Sequence, residues 1–310
     1  MKREAGIAFA QTALAAALWG TSFPVVSLGI KGGLDPRTFL FLRFAFAAPV
    51  MLGLAKALGK DIMPLLKSRA IWVVAVFNAV GFLCQFIGQQ YTGASVAALL
   101  TNLSVVFAAV GAVAFLGERL GRYKVTGVFL ALGGTVLITT NGNLYSVAGG
   151  QAVGDLLYLV GAASWAGYIL YSKKKMDELQ WDPLAAAACI VAATALMVVP
   201  PALTTGVGAS LSAESLWAVG YTAVFNTVIP FTLYQQGLKL LSASSSAVVL
   251  MLEILVAVMI SVAFLGETLT AFAWVGAFAV LGSILLVSGF EIRGKSLSVR
   301  ITDVSRVKDA

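Results

Sequence analysis

The chain has 310 residues, a formal net charge of +7 and no histidine. Its residues are 59% hydrophobic and only 11% charged, whereas a soluble domain carries roughly 25% charged residues. So few charges cannot cover a water-soluble fold of this size. The basic balance does not point to nucleic acid either, because Lys and Arg sit in short segments between apolar runs.

A helix needs about 20 apolar residues to cross a bilayer core. Ten such runs occur, near residues 6–30, 38–57, 70–90, 94–117, 123–140, 152–171, 184–205, 215–238, 244–266 and 270–290. The first follows Lys2-Arg3 and is far longer than the 7–15 apolar residues of a cleaved signal, so it reads as a membrane helix. It carries Trp19, and Pro24 as a candidate break. Helix 2 holds Arg43, the only basic residue well inside a run. Arg43 is expected to snorkel to the interface, the alternative being an anion contact or a partner for Glu253. On helix 3, Asn78, Phe82, Gln85 and Gln89 share one face, which predicts either cavity lining or polar contact between helices. Asn102 on helix 4 is a similar case.

Helix 6 presents Tyr158, Trp165 and Tyr168 on a broad face. Trp19 and Trp165 lie too deep for interface anchors, and either stack on an aromatic or cationic solute or simply pack. Helix 8 groups Asn226, Thr227, Pro230 and Tyr234. Pro230 removes one backbone hydrogen bond and predicts a kink whose freed carbonyls line a site. Glu253 stands near the middle of helix 9, with Ser246 seven residues earlier on the same face. A charge at that depth costs on the order of 3 kcal/mol. It reads as a proton-binding carboxylate, as a counter-ion for a substrate ammonium, or as a structural glutamate bonded to neighbouring helices. Small residues on helix 5 (Gly127, Ala131, Gly133, Gly134) and helix 10 (Gly276, Ala277, Gly282, Ser283) predict close packing. Glu118 and Glu267, at helix ends, are expected to be solvated or to pair across loops. Residues 291–310 form a polar tail, expected to be solvated and without regular structure. Cys84 and Cys189 lie inside apolar runs, so no disulfide framework follows. Without histidine the commonest zinc ligand and proton shuttle are gone. No cofactor or metal is expected, and proton chemistry within the membrane falls to carboxylates.

The loops carry the orientation. With the N-terminus cytoplasmic, 18 Lys and Arg fall on the cytoplasmic side, and only Lys31 and Arg37 on the other. That split predicts ten spans with both termini in the cytoplasm.

An internal repeat emerges on shifting the chain by 149 residues. Ala94–Leu120 then matches Ala243–Leu269 at 12 of 27 positions, anchored by Phe115-Leu116-Gly117-Glu118 on Phe264-Leu265-Gly266-Glu267. Glu253 falls on Ser104. The fold is therefore expected to be an all-α membrane protein. Residues 6–140 and 152–290 form two five-helix repeats, joined by an external linker at 141–151. Five is odd, so the second repeat should insert upside down, and corresponding loops do carry opposite charge character. Inverted repeats are a recurring transporter design.

Leu18-Trp19-Gly20-Thr21-Ser22-Phe23, Gly154-Asp155-Leu156-Leu157 with Ser164-Trp165-Ala166, the two Phe-Leu-Gly-Glu segments and Leu252-Glu253 together resemble the EamA-type permeases of the drug/metabolite transporter superfamily. The resemblance covers roughly residues 6–290. It implies secondary transport or efflux of amino acids, metabolites or drugs. The family often has proline after the equivalents of Ser104 and Glu253. Val105 and Ile254 stand there instead, so a helix distortion usual in the family is expected to be absent or weaker.

The expectation is an alternating-access carrier in a prokaryotic plasma membrane. It would move a small metabolite such as an amino acid, or a drug-like compound, outward, with protons as the candidate coupling ion and the bilayer as its other partner. The competing readings are a membrane receptor and the transmembrane subunit of a multi-component transporter. An intramembrane enzyme is disfavoured, for the helices hold no aspartate pair and no evident serine–lysine pair.

Overall fold

A computed structural model of the protein describes residues 2–92, 94–143, 152–204, 212–265 and 269–308. Among them no strand occurs, and ten helices are long and apolar enough to cross a membrane. Numbered in chain order they are helix 1 (Arg3–Lys31), helix 2 (Pro36–Ala57), helix 3 (Arg69–Gly88), helix 4 (Val96–Leu116), helix 5 (Arg122–Thr140), helix 6 (Ala152–Leu179), helix 7 (Pro183–Leu203), helix 8 (Ala213–Leu240), helix 9 (Ala243–Ile260) and helix 10 (Ala271–Ile292). A short helix, Met63–Lys67, fills the loop between helices 2 and 3. The tail differs from expectation: the backbone of helix 10 continues as helix to Lys308. That stretch holds no proline to stop it. Most of the linker, 144–151, and the Gly266-Glu267 part of the repeat anchor lie outside the described residues.

Local chemistry sets the helix ends. Helices 2 and 7 both open on Asp-Pro. Asp35 accepts the Arg37 N–H at 2.8 Å, and Asp182 accepts those of Leu184 and Ala185 at 3.0 Å. Each proline sits where its missing N–H costs nothing. Asp182 also pairs with Lys60 at 2.7 Å. Burial pushes its carboxyl up, but the Lys60 ammonium and the two backbone N–H groups outweigh this and hold it below the usual aspartate range.

Lipid-facing positions keep large apolar side chains exposed, among them Phe115, Phe129, Phe278 and Leu285. Between helices the residues are small. Ala185 to Ala188 of helix 7 are all buried, which lets that helix pack closely against helices 2 and 3.

The helices sort into two bundles and two pairs. Helix 6 packs on helices 3 and 4, helix 1 packs on helices 8 and 9, and helices 2 and 7, and 5 and 10, pair with each other. Each bundle therefore borrows its central helix from the other half of the chain. The close contacts answer each other across the 149-residue shift. A Cβ added to Gly276 would lie 2.5 Å from the Gly134 carbonyl oxygen and 2.9 Å from Ile138 Cγ1. One added to Gly127 would meet Val287 and, at 3.6 Å, the Ser283 carbonyl oxygen. Likewise Gly88 faces Tyr158 and the Gly154 carbonyl, and Gly237 faces Thr12 and the Ala8 carbonyl, with helix 1 matching helix 6 at a shift of 146 residues. Not every small residue serves this seam: Gly133 has no neighbour within 4 Å of such a Cβ, and Gly282 only Leu130 at 3.6 Å.

Candidate functional site

A cavity lies between the two bundles. Its walls come from helices 1, 3 and 4 of the first half and helices 6, 8 and 9 of the second. About 90 Å³ of it is open to water-sized solutes, against the roughly 10–15 Å³ that one water needs.

Three helix breaks converge beside it. Helix 1 is interrupted at Thr21, between Lys2–Gly20 and Ser22–Lys31. Helix 8 opens into a π-helical turn at Val224–Val228, just before Pro230. Helix 9 is interrupted at Met251, between Ala243–Leu250 and Leu252–Leu265. There Met251 N bonds to Val248 O and Ile254 N to Met251 O, three residues apart instead of four. A distortion is thus present in helix 9 despite its missing proline, whereas helix 4, also without proline, runs unbroken through Ser104. Close packing accompanies the break: Gly20 sits so near helix 9 that an added Cβ would lie 2.5 Å from the Glu253 carbonyl oxygen.

Pro230 has no N–H to give to the carbonyl four residues back, which is that of Asn226. That oxygen accepts instead from Trp19 Nε1 at 2.9 Å and Arg43 Nη2 at 2.7 Å. The Asn226 amide in turn donates to the Leu18 carbonyl and, at 3.0 Å, to Thr21 Oγ1. The breaks of helices 1 and 8 are thus satisfied by each other.

Glu253 falls in the first turn after the break in helix 9 and opens onto the cavity. None of the described residues donates a hydrogen bond to its carboxylate. Arg43 does not snorkel, contrary to expectation. It is 2% exposed, with Nε donating to Thr227 Oγ1 at 2.8 Å and its guanidinium 4.9 Å from the Phe82 ring centre. A snorkelling side chain must reach water, whereas this one finds a freed carbonyl and a hydroxyl inside. Arg43 and Glu253 attract through space, with Phe82 in the cavity wall on the side of Arg43.

Of the residues singled out from sequence, Trp19, Gln85, Asn102, Trp165, Tyr168, Tyr234 and Glu253 meet at the cavity wall. The rings touch in series: Phe82 to Trp165 at 4.7 Å, Trp19 to Tyr234 at 5.5 Å, and Tyr168 to Tyr234 at 6.1 Å between centroids. Asn78, Asn226 and Ser246 lie behind it. Asn78 is buried and ties helix 3 to Thr194 of helix 7 at 3.0 Å; Gln89, on the same stripe, is exposed. Ser246 is buried near the Tyr234 hydroxyl, although neither oxygen completes a hydrogen bond of normal geometry. Tyr158 packs on Gly88, away from the cavity. Pro24 belongs to the second half of helix 1, after its break, and Pro230 to the last part of helix 8. Sequence reasoning overlooked Thr101 and Ser104 as lining residues. Ser104 could have been found from Glu253, its repeat partner.

Below the cavity, where helix 9 begins, a polar cluster joins the two halves. Glu118 accepts from Ala243 N at 2.6 Å and Ser244 Oγ at 2.5 Å. Lys124 donates to Ser242 Oγ at 2.8 Å and Ser244 Oγ at 3.1 Å. Glu291 accepts from Ser242 N at 3.0 Å. Glu118 thus pairs across loops, one of the two outcomes expected for it, and caps a helix N-terminus. Glu267 lies outside the described residues.

Comparison with known proteins fits this architecture. The model of the EamA-like transporter family matches residues 5–140 and again 152–289. The chain belongs to the EamA-like transporter family. It is 28% identical over 285 residues to an uncharacterized transporter of Archaeoglobus fulgidus, covering 89% of this chain and 95% of that one. It is 24% identical to the uncharacterized inner membrane transporter YedA of Escherichia coli, covering 87% of each. One crystal structure superposes with a TM-score of 0.77 at 18% identity, over 92% of this chain and 98% of the other, which is a likeness of fold. This EamA-like chain is a multi-pass membrane protein of a transporter family.

Proposed function

We propose that this EamA-like protein is an alternating-access secondary transporter of a prokaryotic plasma membrane. It exports a small metabolite, such as an amino acid, or a drug-like compound through the central cavity. The observation that carries the proposal is Glu253: a carboxylate without a protein donor among the described residues, facing a cavity walled by three helices from each half. Leaving such a group unpaired in a membrane interior is costly, which suits a group whose partner is a solute or a proton.

The reciprocal glycine contacts and the twofold match of the family model support two related halves, and the loop charges support their opposite insertion. In this reading each half lends its first helix to the other's bundle, so rocking one bundle against the other opens the cavity to alternate sides. The Glu118–Lys124–Ser244 cluster closes the end that the charges assign to the cytoplasm. Positions 149 residues on from Lys124 and back from Glu291 are Ala273 and Gly142, so these two charges of the cluster have no counterpart at the opposite end.

Glu253 is the candidate site of proton coupling. Flux should be measured in proteoliposomes holding only this chain, with pooled labelled amino acids and organic cations, with and without a pH gradient. A coupled carrier gives gradient-dependent flux that Glu253→Gln abolishes. Gradient-dependent flux that survives unchanged in Glu253→Gln would sink the role of this carboxylate. Flux by the chain alone also excludes a requirement for a partner subunit, and binding without flux would favour a receptor.

A further inference from the structure

We infer that the cavity recognises an organic monocation, an ammonium or quaternary ammonium on an apolar body, and rejects zwitterions and anions. The inference rests on the transporter reading and, of the two cargo classes proposed there, takes the drug-like compound over the zwitterionic amino acid.

Charge decides first. Among the lining residues Glu253 is the only carboxylate, and no Lys or Arg stands with it. Its carboxylate has no donor among the described residues, so a bound cation supplies the partner that the protein omits. Shape agrees. The half-buried Trp19 and Trp165 offer ring surface to the cavity, backed by the buried rings of Phe82, Tyr168 and Tyr234 in one connected wall, the surroundings that stabilise a weakly hydrated ammonium through the ring quadrupole.

The case against a zwitterion is equally specific. A solute carboxylate needs a cation or several N–H donors when it leaves water. Arg43 could supply one, but it is withheld. Its Nε is committed to Thr227 and its Nη2 to the Asn226 carbonyl, and Phe82 covers its face at 4.9 Å. Arg43 lines no part of the cavity. What remains for an anion is neutral donors only, the Gln85 amide, the Trp165 N–H and the Ser104, Tyr168 and Tyr234 hydroxyls, since Asn102 Nδ2 donates to the Ala98 carbonyl at 2.7 Å and Thr101 Oγ1 to the Ala97 carbonyl at 2.8 Å. None of them supplies the positive charge that offsets a desolvated carboxylate. A site selects most sharply when the wrong ligand is left with an unpaired buried charge.

Three compounds that share one ring test this: phenyltrimethylammonium, phenylalanine and phenylacetate. Each is titrated against the purified full chain in detergent, following tryptophan fluorescence, and flux of each is measured separately in proteoliposomes. The cation should bind about tenfold or more tighter than the other two. Glu253→Gln should weaken the cation by about tenfold or more without lowering the melting temperature. Trp165→Leu, which leaves the carboxylate in place, should weaken it by about fivefold. Phenylalanine binding as tightly as the cation, no cation binding at all, or cation affinity indifferent to both substitutions would overturn the inference. Cation binding without flux would leave the substrate class standing and sink the carrier reading. Flux that prefers phenylalanine would do the reverse.

Discussion

The bundle of helices 3, 4 and 6 and the bundle of helices 1, 8 and 9 occupy corresponding places, yet every break beside the cavity falls in the second. Helix 4 runs unbroken through Ser104 from Ala94 to Leu116. Helix 9 resembles it at 12 of 27 positions and parts at Met251, two residues before Glu253. Helix 3 is continuous; helix 8 carries the π turn. On the cavity wall helix 4 offers Thr101, Asn102 and Ser104, and helix 9 offers Leu250, Met251 and Glu253. One of two similar halves' bundles is thus regular, and the helix breaks, the freed carbonyl and the buried carboxylate gather in the other. Such departures cost stability and are expected where function lies.

The largest expected effect breaks the irregular bundle at its closest contact. Gly20→Ala would drive a Cβ against the backbone oxygen of Glu253, which cannot swing aside. It should cost about 3 kcal/mol or prevent folding. In the regular bundle Gly81→Ala meets the Trp165 ring at 3.0 Å, a side chain that can shift, and should cost about 1 kcal/mol or less. Thermal melts in detergent compare the two, and equal losses would mean that the two bundles do not differ in this way. Next comes Arg43→Met. The Asn226 oxygen keeps Trp19, and the Thr227 hydroxyl keeps the Thr222 carbonyl at 3.0 Å, so no group is orphaned. Removing a desolvated charge should leave stability unchanged or raise it by about 2 kcal/mol. A large drop in melting temperature would show that Arg43 is structural.

The smallest effect concerns the paired helix starts. Asp182→Ala loses two backbone caps and the Lys60 pair, and Asp35→Ala one cap. The costs should be about 1 kcal/mol and somewhat less, respectively. Because Asp182 titrates below its ordinary range in the folded chain, its contribution is present above that range. It should fade as the pH falls through the depressed value. Melts between neutral and acid pH should therefore converge for wild type and Asp182→Ala, and a gap that persists in acid would contradict this account.

Much of the site was legible in the chain. An isolated carboxylate and two tryptophans in apolar runs announce themselves by rarity. Arg43 misled because depth along one helix says nothing of what a neighbouring helix offers. Its partner could have been found, since Pro230 necessarily frees the carbonyl of Asn226. The π turn also left a trace. Ala75-Val76-Phe77-Asn78 recurs as Ala223-Val224-Phe225-Asn226 at a spacing of 148, whereas Phe82 and Gly88 recur as Phe231 and Gly237 at 149. The extra residue of helix 8 is absorbed in Val224–Val228. Nothing local marked the break in helix 9, beside which Gly20 of another helix closely approaches its backbone.

By itself the sequence determined ten apolar helices, two similar halves and the residue types available for a site, since these follow from lipid as solvent and from composition and period. Only the tertiary structure decided which side chains share the cavity, that Arg43 is locked away from it, and that the breaks gather in one bundle. Those outcomes depend on contacts between residues far apart in the chain, such as Gly20 and Val256, 236 positions apart, and no local pattern encodes such a contact.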